Sequence, residues 1–170
     1  FVMDDLGELT LGEFMRREGR RMHPRLHHPV LRQLFDALEY LEGEGLQHGD
    51  LKPDHIGVAG MTSDPRIRIF DFSAGTGEQD HGGSVGYADP FSNPGDPTFD
   101  RYAAAVIVHE IFTNTLPVWT TDGTSALFTD REHPELHPDL PPALSPVIQK
   151  ALNRDLHKRQ DSIEELRQAV

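Results

Sequence analysis

The residues best suited to chemistry lie together in one eight-residue segment, His-Gly-Asp-Leu-Lys-Pro-Asp-His at 48–55. Asp50 stands two residues before Lys52, and Pro53 restricts the backbone directly after the lysine. A carboxylate can orient a hydroxyl and take its proton, while an ammonium group can neutralise charge that develops on a transferring phosphoryl group. The alternative is an ordinary polar loop, because short motifs recur by chance. The combination favours phosphoryl transfer.

A second acidic segment follows a short predicted strand. Ile67 and Ile69 alternate with arginines, and Asp71 and Phe72 come directly after them. This placement resembles that of the magnesium-binding aspartate of protein kinases. We expect Phe72 to pack into the core and aim the carboxylate. An ordinary turn-forming aspartate is the alternative, but the order of the two segments, with strands between them, favours the kinase interpretation over that of an ordinary turn.

Helical signals precede these segments. Thr10 and Glu13 fit a capping box that opens a helix running to about Arg17. Pro29 suits the first position of a longer helix that Gly43 ends. Its apolar residues recur at helical spacing on one face, at Val30, Leu31, Leu34, Ala37, Leu38 and Leu41.

The remaining pattern predicts a mainly helical domain with a small strand pair in its middle. Ile56 and Val58 form the first of the two strands. Residues 102–112 are apolar nearly all round, which indicates a helix buried on every side. The stretch 120–142 is polar and rich in proline, with room for one short helix, and two last helices are predicted at about 143–153 and 162–170.

The composition limits the classes of partner. The 170 residues include 16 Lys and Arg against 28 Asp and Glu, a net charge of −12. Such a surface repels phosphate backbones and anionic lipids, so we expect neither nucleic acid nor a membrane as partner. The chain has no cysteine, and no apolar run reaches the roughly 18 residues of a membrane span. A cytoplasmic location is expected.

Over nearly its whole length the sequence resembles the C-terminal lobe of eukaryotic-like serine/threonine protein kinases. Residues 83–90 resemble the peptide-positioning loop, Asp100 resembles the aspartate that braces the catalytic loop, and residues 152–159 resemble the penultimate part of the lobe. On this resemblance the whole chain, 1–170, is a mainly α C-terminal lobe without its N-terminal lobe. Its parts are the hinge at 1–6, the catalytic loop at 46–58 and the activation segment at 71–91.

The resemblance also implies roles and cofactors. A lysine two residues after the catalytic aspartate is the serine/threonine pattern, so the intact parent is expected to use ATP and Mg²⁺, or Mn²⁺, on protein hydroxyls. Its partners would be a protein substrate and the missing N-terminal lobe, without which the isolated chain is expected to be inactive. The Asp-Phe-Ser and Tyr-x-Asp-Pro segments are similar to large bacterial kinases of phage-defence systems. The implied site comprises Asp50 as base, Lys52 as phosphate contact, Asp71 and His55 as metal ligands, and Met3 and Asp5 as ATP contacts at the hinge.

Four positions depart from the family pattern. Gly49 replaces an arginine that reads activation-loop phosphate, and His55 replaces the asparagine that holds a second magnesium. Imidazole suits Mg²⁺ less well than an amide oxygen does. Ser73 replaces a glycine, and Phe91 replaces a glutamate, so the ion pair with Arg159 is expected to be absent. The departures at 49, 55 and 73 favour the alternative function, a pseudokinase lobe used as a binding or scaffolding module.

Two features outside the motifs have simpler explanations. The histidines at 23, 27 and 28 and at 133 and 137 could suggest a metal site, but Pro24 interrupts the first group and no cysteine joins either. Capping and surface roles are expected for them. Trp119 and Phe128 could form a docking face, although packing of the local helix onto the core is the favoured prediction.

Overall fold

The computed structural model describes residues 9–18, 22–61, 64–72, 84–120 and 129–170. The predicted hinge at 1–6, with Met3 and Asp5, lies outside these residues, as does the 73–83 part of the activation segment. The α-helices and strands in the described ranges are, in chain order, β1 (Leu9–Thr10), α1 (Leu11–Glu18), α2 (Pro24–Gly43), β2 (Ile56–Ala59), β3 (Arg66–Ile69), α3 (Pro97–Thr113), α4 (Ser145–Ala151) and α5 (Ile163–Ala169).

The predicted strand pair is confirmed and gains a third member. β2 pairs antiparallel with β3, and β1 pairs antiparallel with the other edge of β2. β1 was missed because two residues are too few to show alternation. The amide of Phe70 donates to the carbonyl of His55 at 3.1 Å, which extends the β2–β3 ladder by one bond. The sheet therefore brings the end of the 48–55 segment next to Asp71.

Helix α1 begins with the predicted capping box. The amide of Thr10 donates to the Glu13 carboxylate at 2.9 Å, and the amide of Glu13 donates to the Thr10 hydroxyl at 3.0 Å. Two N-terminal amides that a helix leaves without partners are thus satisfied. The prediction for the start of α1 is confirmed.

Helix α2 begins earlier than predicted. Pro24, not Pro29, is its first residue, and the ring of His23 accepts the amide of Arg25 at 3.3 Å. Pro29 lies inside the helix, so the prediction that it opens the helix is wrong. Both prolines fit an N-terminal turn by type alone, and the histidine cap decides between them. The buried face comprises Leu26, Val30, Leu31, Leu34, Phe35 and Leu38.

Helix α3 forms the centre of the core, as predicted, and begins five residues before the apolar run. The side chain of Asp96 accepts the amide of Thr98 at 2.8 Å, and Pro97 occupies the first turn. At the other end His109 is fully buried and bonded on both ring nitrogens, to the carbonyl of Thr115 at 2.9 Å and to the amide of His137 at 3.0 Å. A neutral ring satisfies both bonds, with Nδ1 donating and Nε2 accepting.

The predicted short helix within 120–142 is untested at 121–128, which lie outside the described residues. Residues 129–142 contain no α-helix, and α4 and α5 are each shorter than expected. The hydroxyl of Ser162 accepts the amide of Glu165 at 3.0 Å, which caps α5. None of the helices in the described ranges combines the length and apolarity needed to cross a bilayer.

Candidate active site

The backbone of the loop around residue 49 is held from below by one buried carboxylate. Asp100, in the first turn of α3, accepts the amides of His48 at 2.6 Å and Gly49 at 3.0 Å. Gly49 has φ +77°, a conformation that favours glycine. The bracing contact expected of Asp100 is therefore present, and an arginine at residue 49 would be strained.

His48 joins this loop to the segment after β3. Its Nε2 donates to the carbonyl of Phe70 at 2.8 Å, and its Nδ1 accepts the amide of Asp50 at 3.3 Å. Burial lowers the pKa of His48, which keeps the ring neutral and both bonds intact. Phe72 packs against this ring with centroids 4.8 Å apart but is 43 % exposed. The expectation that Phe72 enters the core is wrong, because the buried place beside the loop is occupied by His48.

The carboxylate of Asp50 is bonded on both oxygens. Lys52 Nζ lies 3.0 Å from Oδ2, while the amide and hydroxyl of Ser84 donate to Oδ1 at 2.8 and 3.0 Å. The ammonium also contacts the Ser84 hydroxyl at 2.5 Å. Burial alone raises the pKa of Asp50, but the hydrogen bonds from Ser84 and Lys52 outweigh it and leave the pKa below its usual value. Asp50 is therefore an anion at neutral pH.

Ser84 is the residue of this site that the sequence did not single out. It lies 34 residues from Asp50, within the 83–90 stretch that resembles a peptide-positioning loop but in which no single residue was given a role. A small hydroxyl residue in a loop has many equivalent explanations, so only the three-dimensional contact identifies it.

His55 lies between Asp50 and Asp71. Its Nδ1 donates to the carbonyl of Asp50 at 2.9 Å, and its Nε2 lies 3.2 Å from Oδ2 of Asp71. In the neutral ring this arrangement leaves a lone pair on Nε2 facing a carboxylate oxygen, and two acceptors attract only across a shared cation or proton. Asp71 is 70 % exposed at its side chain and has φ +60°. The geometry thus points two ligand atoms toward one accessible place.

This pair fits a divalent ion that takes its other ligands from elsewhere. Both atoms can reach one ion at the roughly 2.0–2.2 Å typical of nitrogen and oxygen ligands. Mg²⁺ characteristically uses one or two protein carboxylates together with water and substrate phosphates. In the part of the chain that the structure describes, no group of three or more metal-binding side chains converges, so a complete protein-only metal cage is not formed there.

A buried ion pair anchors the segment that carries Ser84. Arg159 donates through both terminal nitrogens to Asp89, with Nη2 at 3.1 Å, and its Nε donates to the carbonyl of Asn153 at 2.6 Å. The side chains of the pair are 0 and 1 % exposed. Position 91 forms no ion pair with Arg159, as expected, but Asp89, two residues earlier, supplies a carboxylate in its place.

Phe91 packs against another aromatic side chain. Its ring lies edge-on to Trp119, at 5.0 Å between centroids, and under the guanidinium of Arg154 at 5.6 Å. Trp119 Nε1 donates to the hydroxyl of Tyr102 at 2.7 Å, and the Tyr102 ring lies 5.2 Å from the guanidinium carbon of Arg159. Trp119 packs against the core, as predicted, while Phe128 lies outside the described residues.

A second aspartate–arginine pair lies on the outer side of the loop. Arg16 of α1 donates through both terminal nitrogens to Asp54, whose side chain is 41 % exposed against 63 % for the arginine. A Cβ on Gly12 would come within 2.8 Å of this carboxylate, so the glycine allows α1 to approach closely. The arginine bond holds the pKa of Asp54 below its usual value.

Comparison with known proteins identifies kinases. The chain is 37 % identical over 105 residues to a probable kinase, PglW, of Streptomyces coelicolor, 31 % over 99 residues to a probable myosin light chain kinase of Dictyostelium discoideum, and 29 % over 129 residues to serine/threonine-protein kinase pkn3 of Myxococcus xanthus. These matches cover 57, 53 and 66 % of the chain. The chain spans only 7, 31 and 22 % of those relatives, and no family model matches it.

Proposed function

We propose that this chain, whose named relatives are kinases, is the C-terminal lobe of an ATP-dependent serine/threonine protein kinase. The carrying observation is the group formed by Asp50, Lys52 and Ser84, in which an anionic carboxylate and an ammonium share one hydroxyl. A helical body with a small antiparallel sheet supports the lobe assignment. The fixed loop backbone on Asp100 supplies the preorganisation that phosphoryl transfer requires.

The proposed reaction uses Asp50 as the group that orients the acceptor. A serine or threonine hydroxyl of the protein substrate attacks the γ-phosphorus of ATP, the bond to the ADP oxygen breaks, and the hydroxyl proton passes to Asp50. Lys52 neutralises negative charge on the phosphoryl group in transit. Met3 and Asp5 are proposed to contact ATP at the hinge, and the rest of the nucleotide site is proposed to belong to an N-terminal lobe of the same protein.

The proposed metal ligands are Asp71 and His55. A divalent ion held there would neutralise part of the negative charge of the ATP phosphates. Because imidazole binds Mn²⁺ more readily than Mg²⁺, the full-length protein should transfer phosphate faster with Mn²⁺. The chain's own contribution is the Nδ1–H bond to the Asp50 carbonyl, which turns Nε2 toward Asp71.

The function is tested by Asp50→Asn in the full-length protein. The substitution removes the proton acceptor but keeps the shape, so phosphotransfer to a protein substrate should fall at least about 100-fold, with the thermal midpoint little changed. Asp64→Asn, at an exposed turn where Asp64 pairs only loosely with Arg66 at 3.5 Å, is the matched control and should retain full activity. Near-normal transfer by Asp50→Asn would rule out the proposed role.

The metal proposal has its own test. His55→Asn replaces an imidazole by an amide oxygen donor and should reduce the Mn²⁺/Mg²⁺ activity ratio of the full-length protein. Binding of Mn²⁺ in the absence of nucleotide, followed by electron paramagnetic resonance, gives a readout that does not depend on turnover. Identical ratios and identical Mn²⁺ affinities in the two proteins would show that His55 is no ligand.

One observation favours the second candidate, a pseudokinase lobe that binds partner proteins. Both oxygens of Asp50 are already bonded within the chain, by Lys52 and Ser84, so the carboxylate is satisfied without a substrate. A full-length protein that folds and binds a partner but shows no phosphotransfer with either metal would establish this candidate instead.

A further inference from the structure

The segment that carries Ser84 is a succession of turns. Val85, the next residue, is 97 % exposed, and residues 84–92 form turns rather than helix or strand. The amides of Tyr87 and Ala88 both donate to the carbonyl of Ser84 at 3.0 Å, which closes a turn on it. A displacement of Tyr87 and Ala88 would therefore move Ser84 as well.

Two polar anchors hold this turn to the body of the domain. The hydroxyl of Tyr87 donates to Glu110 of α3 at 2.5 Å. Asp89 is bonded more extensively, since it accepts the amide of Phe91 at 3.0 Å, the hydroxyl of Ser92 at 2.5 Å and both terminal nitrogens of Arg159. Every acceptor direction of the Asp89 carboxylate is used, which fixes its orientation as well as its place.

Arg159 is itself fixed on three sides. Its Nε donates to the carbonyl of Asn153, its two terminal nitrogens donate to Asp89, and its guanidinium carbon lies over the ring of Tyr102. A planar guanidinium held in this way admits a carboxylate at one position and in one plane. The pair therefore joins the C-terminal region rigidly to the 84–92 turn, which begins at Ser84.

We propose that Asp89 is a positioning residue for the phosphoryl-acceptor site: through Arg159 it holds Ser84 against Asp50 and Lys52. Asp89, which pairs with Arg159, stands two residues before Phe91. Phe91 takes no part in the ion pair and packs on Trp119. This inference rests on the proposed kinase function, since Ser84 matters only if Asp50 and Lys52 act on a substrate. Loss of the pair should misplace the peptide acceptor without altering the ATP contacts.

The experiment compares Asp89→Asn with Glu42→Gln in the full-length protein. Glu42 forms the matched control pair, accepting Arg101 Nε at 2.8 Å and the amide of Ile163, away from residues 84–92. Asp89→Asn should lower kcat/KM for the peptide about 10- to 100-fold, mainly through KM, while KM for ATP stays within about two-fold. Glu42→Gln should lower the thermal midpoint and leave the peptide KM unchanged.

Trp119 provides a second readout, because it is the only tryptophan of the sequence and contacts both Tyr102 and Phe91. Its emission should shift in Asp89→Asn and not in Glu42→Gln. If Asp89→Asn does not fold, Arg159→Lys keeps the charge but loses the fork, and it should give the same peptide-specific defect. Equal peptide KM values in the folded variants and the unmodified protein would overturn the inference.

The outcomes separate this inference from the function on which it rests. An inactive Asp50→Asn together with an unaffected Asp89→Asn overturns the positioning role alone. Full activity of Asp50→Asn, or no phosphotransfer by the unmodified protein, overturns the proposed function and the positioning role with it.

Discussion

Two aspartate–arginine pairs beside the candidate site make the same forked contact. The side chains of Asp89 and Arg159 are at most 1 % exposed, and the pair joins the 84–92 turn to the C-terminal region. Asp54 and Arg16 are 41 and 63 % exposed and join the catalytic loop to α1. The chemistry of the contact is identical, and only the surroundings differ.

The difference shows that burial, more than geometry, decides what such a pair does. In water the attraction is screened and the long arginine side chain loses freedom, so exposed pairs contribute about 0–1 kcal/mol. In the interior neither charge has water as an alternative partner, so removing one leaves the other uncompensated. The buried pair should therefore act as a structural fixture, while the exposed pair should tune the charge of one loop.

The largest expected effect is that of Arg159→Ala. The substitution leaves Asp89 buried without its cation and opens a cavity beside Tyr102, so the free energy of unfolding should fall by about 3–5 kcal/mol. Urea unfolding followed by Trp119 emission measures it. A loss below about 1 kcal/mol would mean that the buried pair behaves like the exposed one, and the comparison would fail.

An intermediate effect is expected for His109, a buried group whose ring bonds, within the described part of the chain, reach a carbonyl, a hydroxyl and an amide but no carboxylate. Burial lowers its pKa in the folded chain below the reference value of about 6.5 that applies when it is unfolded. The unfolded chain therefore takes up the proton first, and stability that is present above about pH 6.5 is lost as pH falls, by up to about 1.4 kcal/mol per pH unit. Unfolding measured between pH 7.5 and 5.5 should show a shallower decline in His109→Gln, and equal slopes would exclude this origin.

The smallest effect is expected for Arg16→Ala. Because the pair with Asp54 is solvent-exposed, the free energy of unfolding should change by less than about 1 kcal/mol. The same variant should nevertheless raise the pKa of Asp54, since the arginine bond is what holds it down. Carboxyl titration by nuclear magnetic resonance checks the second effect, and a stability loss as large as that of Arg159→Ala would contradict the first.

Much of the fold follows from local signals in the sequence. The capping box of Thr10 and Glu13, the strands at 56–59 and 66–69 and the apolar helix at the centre each follow from residue type and period, so all were predicted. The start of α2 was not predicted correctly, because Pro24 and Pro29 are equally suitable first residues. The cap formed by His23 determines that the helix begins at Pro24. The two-residue β1 has no period to detect.

The site divides in the same way. Asp100 was expected to brace the 48–55 segment and does so. That expectation came from the family resemblance, because no local pattern encodes so distant a contact. The resemblance gave Ser84 no individual role and looked for the acid that pairs with Arg159 at position 91, so Ser84 and the Asp89–Arg159 pair were not predicted. Phe91 stands where the family has a glutamate, which suggested that the ion pair with Arg159 was lost. Asp89, two positions earlier, supplies the carboxylate.

The position of Asp100 in the first turn of α3 also governs how the domain opens. Twelve residues of that helix are buried, so it belongs to the part of the molecule that separates only in complete unfolding. The amides of His48 and Gly49 are bonded to its carboxylate and should exchange with solvent deuterium as slowly as the core itself. Among the described residues, the 84–92 turn is joined to the body of the domain through side-chain contacts, such as those of Tyr87 and Asp89. Amides of this turn that bond to no other element should therefore exchange sooner than those of His48 and Gly49, so deuterium exchange should separate the acceptor side of the site from the loop that carries Asp50.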